Sequence, residues 1–459
     1  MTPATLTPAE LSERTTHRRA IEAVIWGMPV VNYDLMHQAA VSLDGAFNQI
    51  VYWSRLPDWK NQTLTPNPDS IYLMPFTNTK DVGPVVVEIP PADDGTIVGS
   101  LMDCWQTALE DVGPAGVDKG KGARYLILPP DYKDKPPDGY IALASDTYQG
   151  YGLLRSILNS GSEADVTKAV NYGKRIRVYP LSQAASPPAT KFIDDTDVVF
   201  DSTIRYDLRF YQSLNHMVQY EPWQTRDKVM IDLLRPIGID KGKPFNPDAR
   251  TQAVLKDAIL EAHASMDARY QDIFKPPFYE GTHWALPASQ ELVAGIQAFY
   301  TQPDHYPIDA RGLAYSYAFF SSKHLGTGQF YLMTIKDKDD LFFDGAKTYR
   351  LSVPANAPVK QYWSATAYDR ATHALIRDMP RSSRSSQNPD LKKNADGSVD
   401  IYFGFKAPAG KESNWVPTNP KGKFEVLFRL YGPEKVFFDK NWKLPDIEPT
   451  VVGQAEKAA

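Results

Sequence analysis

The alternation of apolar and polar residues along the last third of the chain is the feature that most limits its fold. Apolar side chains recur at every second position in three segments, at Tyr349, Leu351 and Val353, at Ile401, Phe403 and Phe405, and at Val426, Phe428 and Leu430. A period of two is that of a strand with one buried face. Strands that follow one another without helices between them form a sandwich or a related all-β architecture. We therefore predict a β-sandwich or jelly roll over residues 328–459.

The first part of the chain opens with a helix signal. The segment Thr7-Pro8-Ala9-Glu10 combines an N-cap threonine, a proline in the first turn and a glutamate that can close a capping box. Gly27 and Pro29 are residues that end helices. The pattern predicts that the first helix stops there and that a second, short helix follows over about residues 30–40.

Short apolar runs bounded by Pro, Gly and Asp occupy residues 50 to 180, with Val85–Ile89 and residues 125–128 as examples. Strands of this length with frequent turns indicate an antiparallel sheet. We predict a first domain over residues 1–190, made of N-terminal helices and an antiparallel β domain.

The middle of the chain is predicted to be a mainly helical segment over residues 191–327. Its clearest helix begins at Asn246-Pro247-Asp248 and runs to about Ile273. A further helix is predicted from Leu313 to Leu325, before Gly326. The fold class is therefore α+β, with two β-rich domains and a helical insertion between them.

Charge and composition exclude some classes of partner. The chain has 50 Lys and Arg against 55 Asp and Glu, a formal net charge of −5, and no basic stripe that would bind nucleic acid. No apolar run approaches the about 20 residues that span a membrane. One cysteine, Cys104, excludes an intrachain disulfide. The sequence does not decide the compartment: we expect a cytoplasmic protein, or a periplasmic or secreted one if a signal peptide has been removed.

Short motifs in both halves of the chain resemble a known family. The motifs are Trp26-Gly27-Met28-Pro29 with Tyr33, Thr65-Pro66-Asn67-Pro68-Asp69 with Tyr72, Gly83-Pro84-Val85-Val86, Met102-Asp103 with Trp105, Tyr349, Tyr362-Trp363-Ser364, Tyr368-Asp369, Asn394 with Asp396-Gly397-Ser398, and Arg429-Leu430-Tyr431. The chain resembles the bacterial proteins that pair domain of unknown function 1254 with domain of unknown function 1214. The resemblance implies two domains, of which the second is a β-sandwich with a helical insertion. It implies no catalytic residue.

Asn67 and Asp69 form the first candidate site, because two prolines stiffen the loop that carries them. One interpretation is turn chemistry, in which both side chains bond to their own backbone. The other is that the stiff loop directs Asp69 and Tyr72 into a binding cleft.

Asp103 and Trp105 form the second candidate. A carboxylate beside an indole in a partly dry pocket would have a raised pKa and could act as a general acid. Alternatively, Asp103 pairs with an arginine such as Arg155. Asp69 and Asp103 together could form a hydrolytic pair, about 5 Å apart for a covalent mechanism or about 6.5–9.5 Å apart for a water-mediated one. Cys104 is expected to be inert packing, since no neighbouring histidine is available to activate it.

No cofactor or metal is predicted. The eight histidines are dispersed and form no H-E-x-x-H motif, and the glycine-rich nucleotide-binding motifs are absent from the sequence. Arg429 could pair with Asp369 or bind the carboxylate of a ligand.

Two functions follow from these candidates. The first is a metal-independent acid/base hydrolase or lyase for a small polar or glycan-like molecule. Its candidate catalytic residues are Asp69 and Asp103, and its candidate substrate-binding residues are Tyr33, Asn67, Tyr72, Trp105 and Arg155. The second is a non-catalytic ligand-binding or cell-envelope protein with an aromatic-lined groove. Because the edges of a sandwich need cover, we also expect that a homo-oligomer could form.

Overall fold

The computed structural model describes residues 6–319, 321–324 and 328–450, and it confirms the mixed α+β class. The α-helices defined in these residues are α1 (Pro8–Val41), α2 (Glu163–Gly173), α3 (Leu208–Tyr220), α4 (Met230–Leu234), α5 (Ala249–Asp272), α6 (Gln290–Gln297), α7 (Ile308–Tyr317) and α8 (Lys435–Phe438). The strands are β1 (Gln49–Tyr52), β2 (Asn61–Gln62), β3 (Ile71–Asn78), β4 (Val85–Ile89), β5 (Ile97–Asp103), β6 (Ala108–Val112), β7 (Ala123–Leu128), β8 (Ile141–Ala144), β9 (Gln149–Ser156), β10 (Arg177–Pro180), β11 (Phe192–Asp194), β12 (Phe200–Asp201), β13 (Gln329–Thr334), β14 (Tyr349–Val353), β15 (Val359–Asp369), β16 (Ser383–Ser385), β17 (Val399–Gly404), β18 (Trp415–Pro417), β19 (Phe424–Pro433) and β20 (Glu448–Pro449).

Helix α1 begins as the sequence predicts. The hydroxyl of Thr7 accepts a hydrogen bond from the backbone N–H of Glu10, and the Glu10 carboxylate accepts one from the backbone N–H of Thr7. This reciprocal pair is a capping box, and it satisfies two N–H groups that the first turn would otherwise leave without a partner.

The predicted end of the first helix at Gly27 and Pro29 is wrong, because α1 continues to Val41. Pro29 has no N–H to donate to the carbonyl oxygen of Ile25, one turn earlier. Gly312 of α7 packs against that oxygen so closely that a Cβ on Gly312 would lie 2.5 Å from it. Because Gly312 has no Cβ, α7 packs closely on α1 at this turn, and α1 continues past Pro29 inside the core that the two helices share.

The helical insertion packs around α1. Helix α5 has its N-cap at Asp248 and buries Val254, Leu255, Ala258, Ile259, Ala262 and Met266, the face that the sequence predicts. Helix α7 ends at Tyr317, earlier than predicted, and Leu325 and Gly326 lie outside the described residues. Helices α3, α5 and α7 all contact α1, which makes α1 the centre of the largest core.

The first domain contains two main sheets. The larger has the order β11-β1-β3-β9-β5-β6, and the smaller has the order β10-β4-β7-β8. Most neighbours are antiparallel, as predicted, but β11 runs parallel to β1 and β8 runs parallel to β7. One face of the larger sheet packs on α1 and the other packs on the smaller sheet.

The second domain consists of two four-stranded sheets that share one apolar core. Their orders are β13-β19-β15-β16 and β18-β17-β14-β20. Leu351, Ile401 and Phe403 from one sheet and Phe428 and Leu430 from the other are buried in that core. The predicted alternation therefore does build a sandwich-like pair of sheets.

Candidate functional site

The predicted site residues lie in two separate places. Ile71, next to the Asp69 loop, pairs with Ser156 at one end of β9, whereas Asp103 pairs with Gly150 at the other end. At the rise of a strand, these ends are on the order of 20 Å apart. Asp69 and Asp103 are therefore not brought together, and the sheet register corrects the hydrolytic pair, which needs a separation of about 5 Å or of about 6.5–9.5 Å.

Asn67 lies where the first domain meets the second. Its side-chain amide nitrogen is within hydrogen-bond distance of the hydroxyl oxygens of Tyr431 at 2.7 Å and Tyr362 at 3.1 Å, and of Ser70 at 2.9 Å. Its side-chain oxygen accepts a hydrogen bond from the backbone N–H of Asp69 at 3.0 Å. The side chain thus closes a turn on its own backbone and also binds two tyrosines of the second domain.

The loop that carries Asn67 is also held by Arg429. Nη2 of Arg429 donates to the carbonyl oxygens of Thr65 at 3.0 Å and Pro66 at 3.2 Å, and Nη1 donates to the Thr366 hydroxyl at 3.0 Å. Within the described ranges no carboxylate forms an ion pair with Arg429, so its predicted pairing with Asp369 is wrong. The guanidinium is 2% exposed and joins the two domains.

Asp69 is almost fully buried in the same region. The hydroxyl of Ser383, in β16, lies 3.1 and 2.9 Å from its two carboxylate oxygens. Burial raises the pKa of Asp69, while the Ser383 hydrogen bond and the charge of Arg429 act in the opposite direction. We call Asn67, Asp69, Tyr362, Arg429 and Tyr431 the junction cluster.

Tyr72 and Arg155 are neighbours across β3 and β9, and the Arg155 guanidinium lies 5.5 Å from the centre of the Tyr72 ring. The Tyr72 hydroxyl accepts a hydrogen bond from the backbone N–H of Asn67 at 2.8 Å. Arg155 is thus at the junction end of β9. The alternative in which it pairs with Asp103, at the other end, is wrong.

Tyr33 lies on α1, away from the junction cluster. Its hydroxyl donates to the side-chain oxygen of Gln149 at 3.2 Å, and the residue is fully buried. Burial raises the pKa of Tyr33 well above its ordinary value, so the phenol stays neutral. Cys104 is also fully buried, and burial raises the pKa of its thiol, as expected for inert packing.

Asp103 ends β5 and organises the turn that follows. Its Oδ1 accepts hydrogen bonds from the backbone N–H groups of Trp105 at 2.9 Å and Thr107 at 2.8 Å. Gln106, between them, has a φ of 64°, in the left-handed region. Among the residues that the structure describes, none donates a hydrogen bond to Oδ2. One carboxylate oxygen is fixed by the backbone and the other is available.

The electrostatic setting of Asp103 has two opposing parts. Burial raises its pKa, while the backbone hydrogen bonds and the positive charges of Arg226 and Arg311 act to lower it. Burial dominates, and the residue remains 5% exposed. The carboxyl group therefore holds its proton to a higher pH than an exposed aspartate does.

Trp105, whose backbone N–H bonds to Asp103, belongs to a row of three tryptophans. The ring centres of Trp105 and Trp26 are 4.8 Å apart, and Trp223 is stacked on Trp26 with ring centres 6.2 Å apart. The Trp26 indole N–H donates to Oδ1 of Asp227 at 3.0 Å. Two of the motifs that carry the family resemblance, the one at Trp26 in α1 and the one at Met102-Asp103 with Trp105, are therefore in contact through their tryptophans.

Arg311 is the main residue of this site that the sequence did not predict. It lies on α7, is 2% exposed, donates through Nη2 to the carbonyl oxygen of Trp105, and stands 4.3 Å from the centre of the Tyr300 ring. Arg226 lies 4.8 Å from the centre of the Tyr306 ring and 3.5 Å from Oδ2 of Asp227. No local motif marks these positions, since their partners are distant in sequence.

The aromatic and charged residues around Asp103 reach the surface. Trp223, Tyr300 and Tyr306 are half-buried, and the Arg226 side chain is 29% exposed. We call Asp103, Trp105, Trp26, Trp223, Arg226, Asp227, Tyr300, Tyr306 and Arg311 the Asp103 site. It combines one available carboxyl oxygen, two guanidinium groups and an aromatic lining, which suits binding and proton transfer.

Comparisons with known proteins identify both domains. A family model described as protein of unknown function DUF1254 matches residues 47–180, and one described as protein of unknown function DUF1214 matches residues 328–435, in the predicted order. The search of curated proteins gives no match. No helix among the described residues is long and apolar enough to cross a membrane.

Two solved structures resemble the chain along most of its length. The VPA0106 protein from Vibrio parahaemolyticus has a TM-score of 0.58 and 17% identity, over 95% of this chain and 100% of that one. An uncharacterized protein from Burkholderia cenocepacia has a TM-score of 0.42 and 11% identity, over 96% of this chain and 95% of that one. At 17% identity, the first likeness supports the fold alone.

Proposed function

Since the chain belongs to the proteins that pair DUF1254 with DUF1214, two domains of unknown function, we propose its function from the Asp103 site. The proposed function is that of a metal-independent acid/base hydrolase or lyase that acts on a small polar or glycan-like molecule. Asp103 is the proposed general acid, and Trp105 is a proposed substrate-binding residue.

The observation that carries the proposal is the unequal use of the two oxygens of Asp103. Oδ1 is held by two backbone N–H groups, at 2.9 and 2.8 Å, whereas Oδ2 receives no hydrogen bond from any described residue. A carboxyl group that is fixed on one side and open on the other is preorganised for proton transfer. Its pKa is raised by burial, which favours the protonated form that a general acid needs.

Arg311 and Arg226 supply the electrostatic part of the proposal. In the hydrolytic case, Asp103 gives its proton to the leaving oxygen as the bond from that oxygen to carbon breaks. A water molecule forms the new bond to that carbon and returns a proton to the Asp103 carboxylate, which the two positive charges stabilise in the meantime. They lie in a partly buried setting, where charges interact more strongly than in water. Both guanidinium groups are already held against aromatic rings, so little rearrangement is needed.

The aromatic lining of the Asp103 site suits a polar ligand that also has apolar faces. Trp105 and Trp26 are adjacent, and Trp223 and Tyr306 bring the lining to the surface. Aromatic rings beside charged hydrogen-bonding groups are the usual surroundings of sugars and similar molecules. The same lining also favours the alternative function, a ligand-binding protein without catalysis.

The test of the proposal measures turnover in Asp103→Asn. Candidate substrates are a panel of p-nitrophenyl glycosides, followed by release of the phenol, and polyuronides, followed by the ultraviolet absorbance of unsaturated products. We expect kcat to fall at least about a hundredfold in Asp103→Asn with KM little changed, because a lost general acid typically costs 10²–10⁴-fold. Asp197→Asn, at an exposed ion pair, is the control and should behave as the wild type.

Other outcomes would redirect the proposal. If Asp69→Asn abolishes turnover and Asp103→Asn does not, the reaction belongs to the junction cluster. If the wild type binds members of the panel without converting any, and Trp105→Ala removes that binding, the protein is a binder and the catalytic proposal is lost.

A further inference from the structure

Arg311 has a donor without a well-formed hydrogen bond, beside the buried hydroxyl of Tyr300, which also lacks one among the described residues. Its Nη2 donates to the carbonyl oxygen of Trp105, but Nη1 is buried and has no hydrogen-bond partner among the described residues. A buried N–H group without a partner costs about 1–3 kcal/mol. A guanidinium that is 2% exposed and keeps one free edge is a donor that a ligand can use.

Gln224 provides a second, independent sign of a missing partner. Its side chain is buried, and neither its amide nitrogen nor its amide oxygen has a hydrogen bond within the described ranges. The residue follows Trp223, which stacks on Trp26, and its carbonyl oxygen accepts the backbone N–H of Asp227 at 3.0 Å. It therefore lies on the same turn as two residues of the Asp103 site.

The charges of the site are not balanced when Asp103 is protonated. Arg226 and Arg311 carry two positive charges, and Asp227 is the carboxylate that pairs with Arg226, at 3.5 Å. Arg311 forms no ion pair with a carboxylate in residues 6–319, 321–324 and 328–450. A buried charge without a counter-charge favours binding of an anion.

We infer that the ligand of the Asp103 site carries a carboxylate, which the free edge of Arg311 receives, together with a hydroxyl or carbonyl group for the amide of Gln224. The inference rests on the proposed function and names its substrate class: small acidic molecules such as uronate-type sugars. An arginine fork is suited to a carboxylate, because its N–H groups match the geometry of the two oxygens.

The test compares two probes that differ in charge, D-glucuronate and D-glucose, in calorimetric titrations of the full chain. We expect glucuronate to bind at least tenfold more tightly than glucose, and this preference to weaken as salt is added. Arg311→Gln should remove the preference. Arg226→Gln, at a side chain that is 29% exposed, should reduce it and folds more readily, so it carries the test if Arg311→Gln does not fold.

Gln224→Leu separates a ligand role from a structural one. Leucine replaces an amide whose polar atoms have no partner, so we expect the variant to be at least as stable as the wild type and yet to bind both sugars several-fold more weakly. A structural glutamine would give the opposite result, a loss of stability with unchanged binding. For the two arginine variants, Arg311→Gln and Arg226→Gln, the control for the lost charge is Arg209→Gln, at an exposed arginine that pairs with Asp207.

The outcomes distinguish this inference from the proposed function. Equal binding of the two sugars, or a preference that survives both arginine substitutions, overturns the inference. If turnover of neutral substrates alone is found and depends on Asp103, the inference is also lost while the proposed function stands. Arginine-dependent binding of glucuronate with no turnover of any panel member supports the inference and removes the proposed function.

Discussion

The ring centres of Trp26 and Trp105 lie 4.8 Å apart, with the two planes inclined at 49°. Trp26 belongs to α1 and Trp105 to the turn after β5, so the contact joins the central helix to the end of one strand of the main sheet. The Trp26 N–H also reaches Oδ1 of Asp227 at 3.0 Å. One side chain therefore fixes the aromatic lining and a carboxylate of the same site.

Trp26→Phe should destabilise the protein. Phenylalanine keeps a ring in the contact but leaves the buried Oδ1 of Asp227 without its donor, which costs about 1–3 kcal/mol. Urea denaturation followed by circular dichroism measures the change. Trp59→Phe is the matched control, since the indole N–H of Trp59 makes no hydrogen bond in the described part of the chain, and the prediction fails if both variants lose the same stability.

Asp195 should make stability depend on pH. It is fully buried, neither of its carboxylate oxygens has a hydrogen bond among the described residues, and burial raises its pKa to about 8. The folded chain therefore keeps this proton up to about pH 8, whereas the unfolded chain loses it near 3.8. The free energy of unfolding consequently falls as the pH rises between these two values.

Asp195→Asn should remove that part of the pH dependence. Asparagine stays neutral, so the variant should match the wild type near pH 4 and exceed it at pH 8 by on the order of 5 kcal/mol. Denaturation midpoints at several pH values provide the measurement. Asp197→Asn, at an exposed neighbour whose pKa is lowered by the hydrogen bond from Arg55, should leave the profile between pH 4 and pH 8 unchanged. A lower stability of Asp195→Asn at pH 8 would show that the native carboxylate is ionised and paired.

Arg429→Lys should weaken the attachment of the two domains. Lysine keeps the charge but cannot reach Thr65, Pro66 and Thr366 at once, as the arginine fork does. We expect a loss of about 2–4 kcal/mol, because buried carbonyl groups lose a charged donor. Denaturation and the rate of proteolysis in residues 65–72 report the effect, with Arg209→Lys as an exposed control. An unchanged cleavage rate would mean that the other hydrogen bonds of the loop, such as that from the Tyr368 hydroxyl to the carbonyl oxygen of Pro66, hold it without Arg429.

Local signals in the sequence predict much of this fold. The Thr7 cap, the buried face of α5, and most of the alternation in the second domain depend on neighbours a few residues away, and each is confirmed. Phe405 is the exception in the alternation, because it follows β17 and is 49% exposed. The end of α1 is not predicted correctly, because whether Pro29 stops a helix depends on Gly312 of a helix nearly three hundred residues later. At Pro29, tertiary packing overrides the low helix propensity of proline.

The candidate sites are predictable only in part, for the same reason. Asn67, Asp69 and Asp103 stand out because proline-rich and acidic segments beside apolar strands are local patterns. Which of them share a site depends on the register of β9, which no short motif encodes. Arg311 reaches Trp105 from α7, and a buried arginine in a helical segment has no distinguishing local pattern.

Gly312→Ala tests the packing that lets α1 continue past Pro29. In an exposed helix this substitution would stabilise by up to about 1 kcal/mol, because alanine is the better helix former. Here the new Cβ would lie 2.5 Å from the carbonyl oxygen of Ile25 and 2.9 Å from its Cγ2. Overpacking against a backbone atom forces the helices apart and costs about 1–3 kcal/mol, so we expect a net loss of stability.

Gly328→Ala is the control for that experiment, because a Cβ there would meet no atom of the described residues within 4 Å and should leave the urea midpoint unchanged. The separation of α1 and α7 should also be felt at Arg311, next to Gly312, whose donor to Trp105 depends on where α7 lies. Gly312→Ala should therefore lower the affinity of the Asp103 site for D-glucuronate as well as the stability. If the variant is as stable as the wild type, α7 does not support α1 at Pro29, and the continuity of the helix needs another cause.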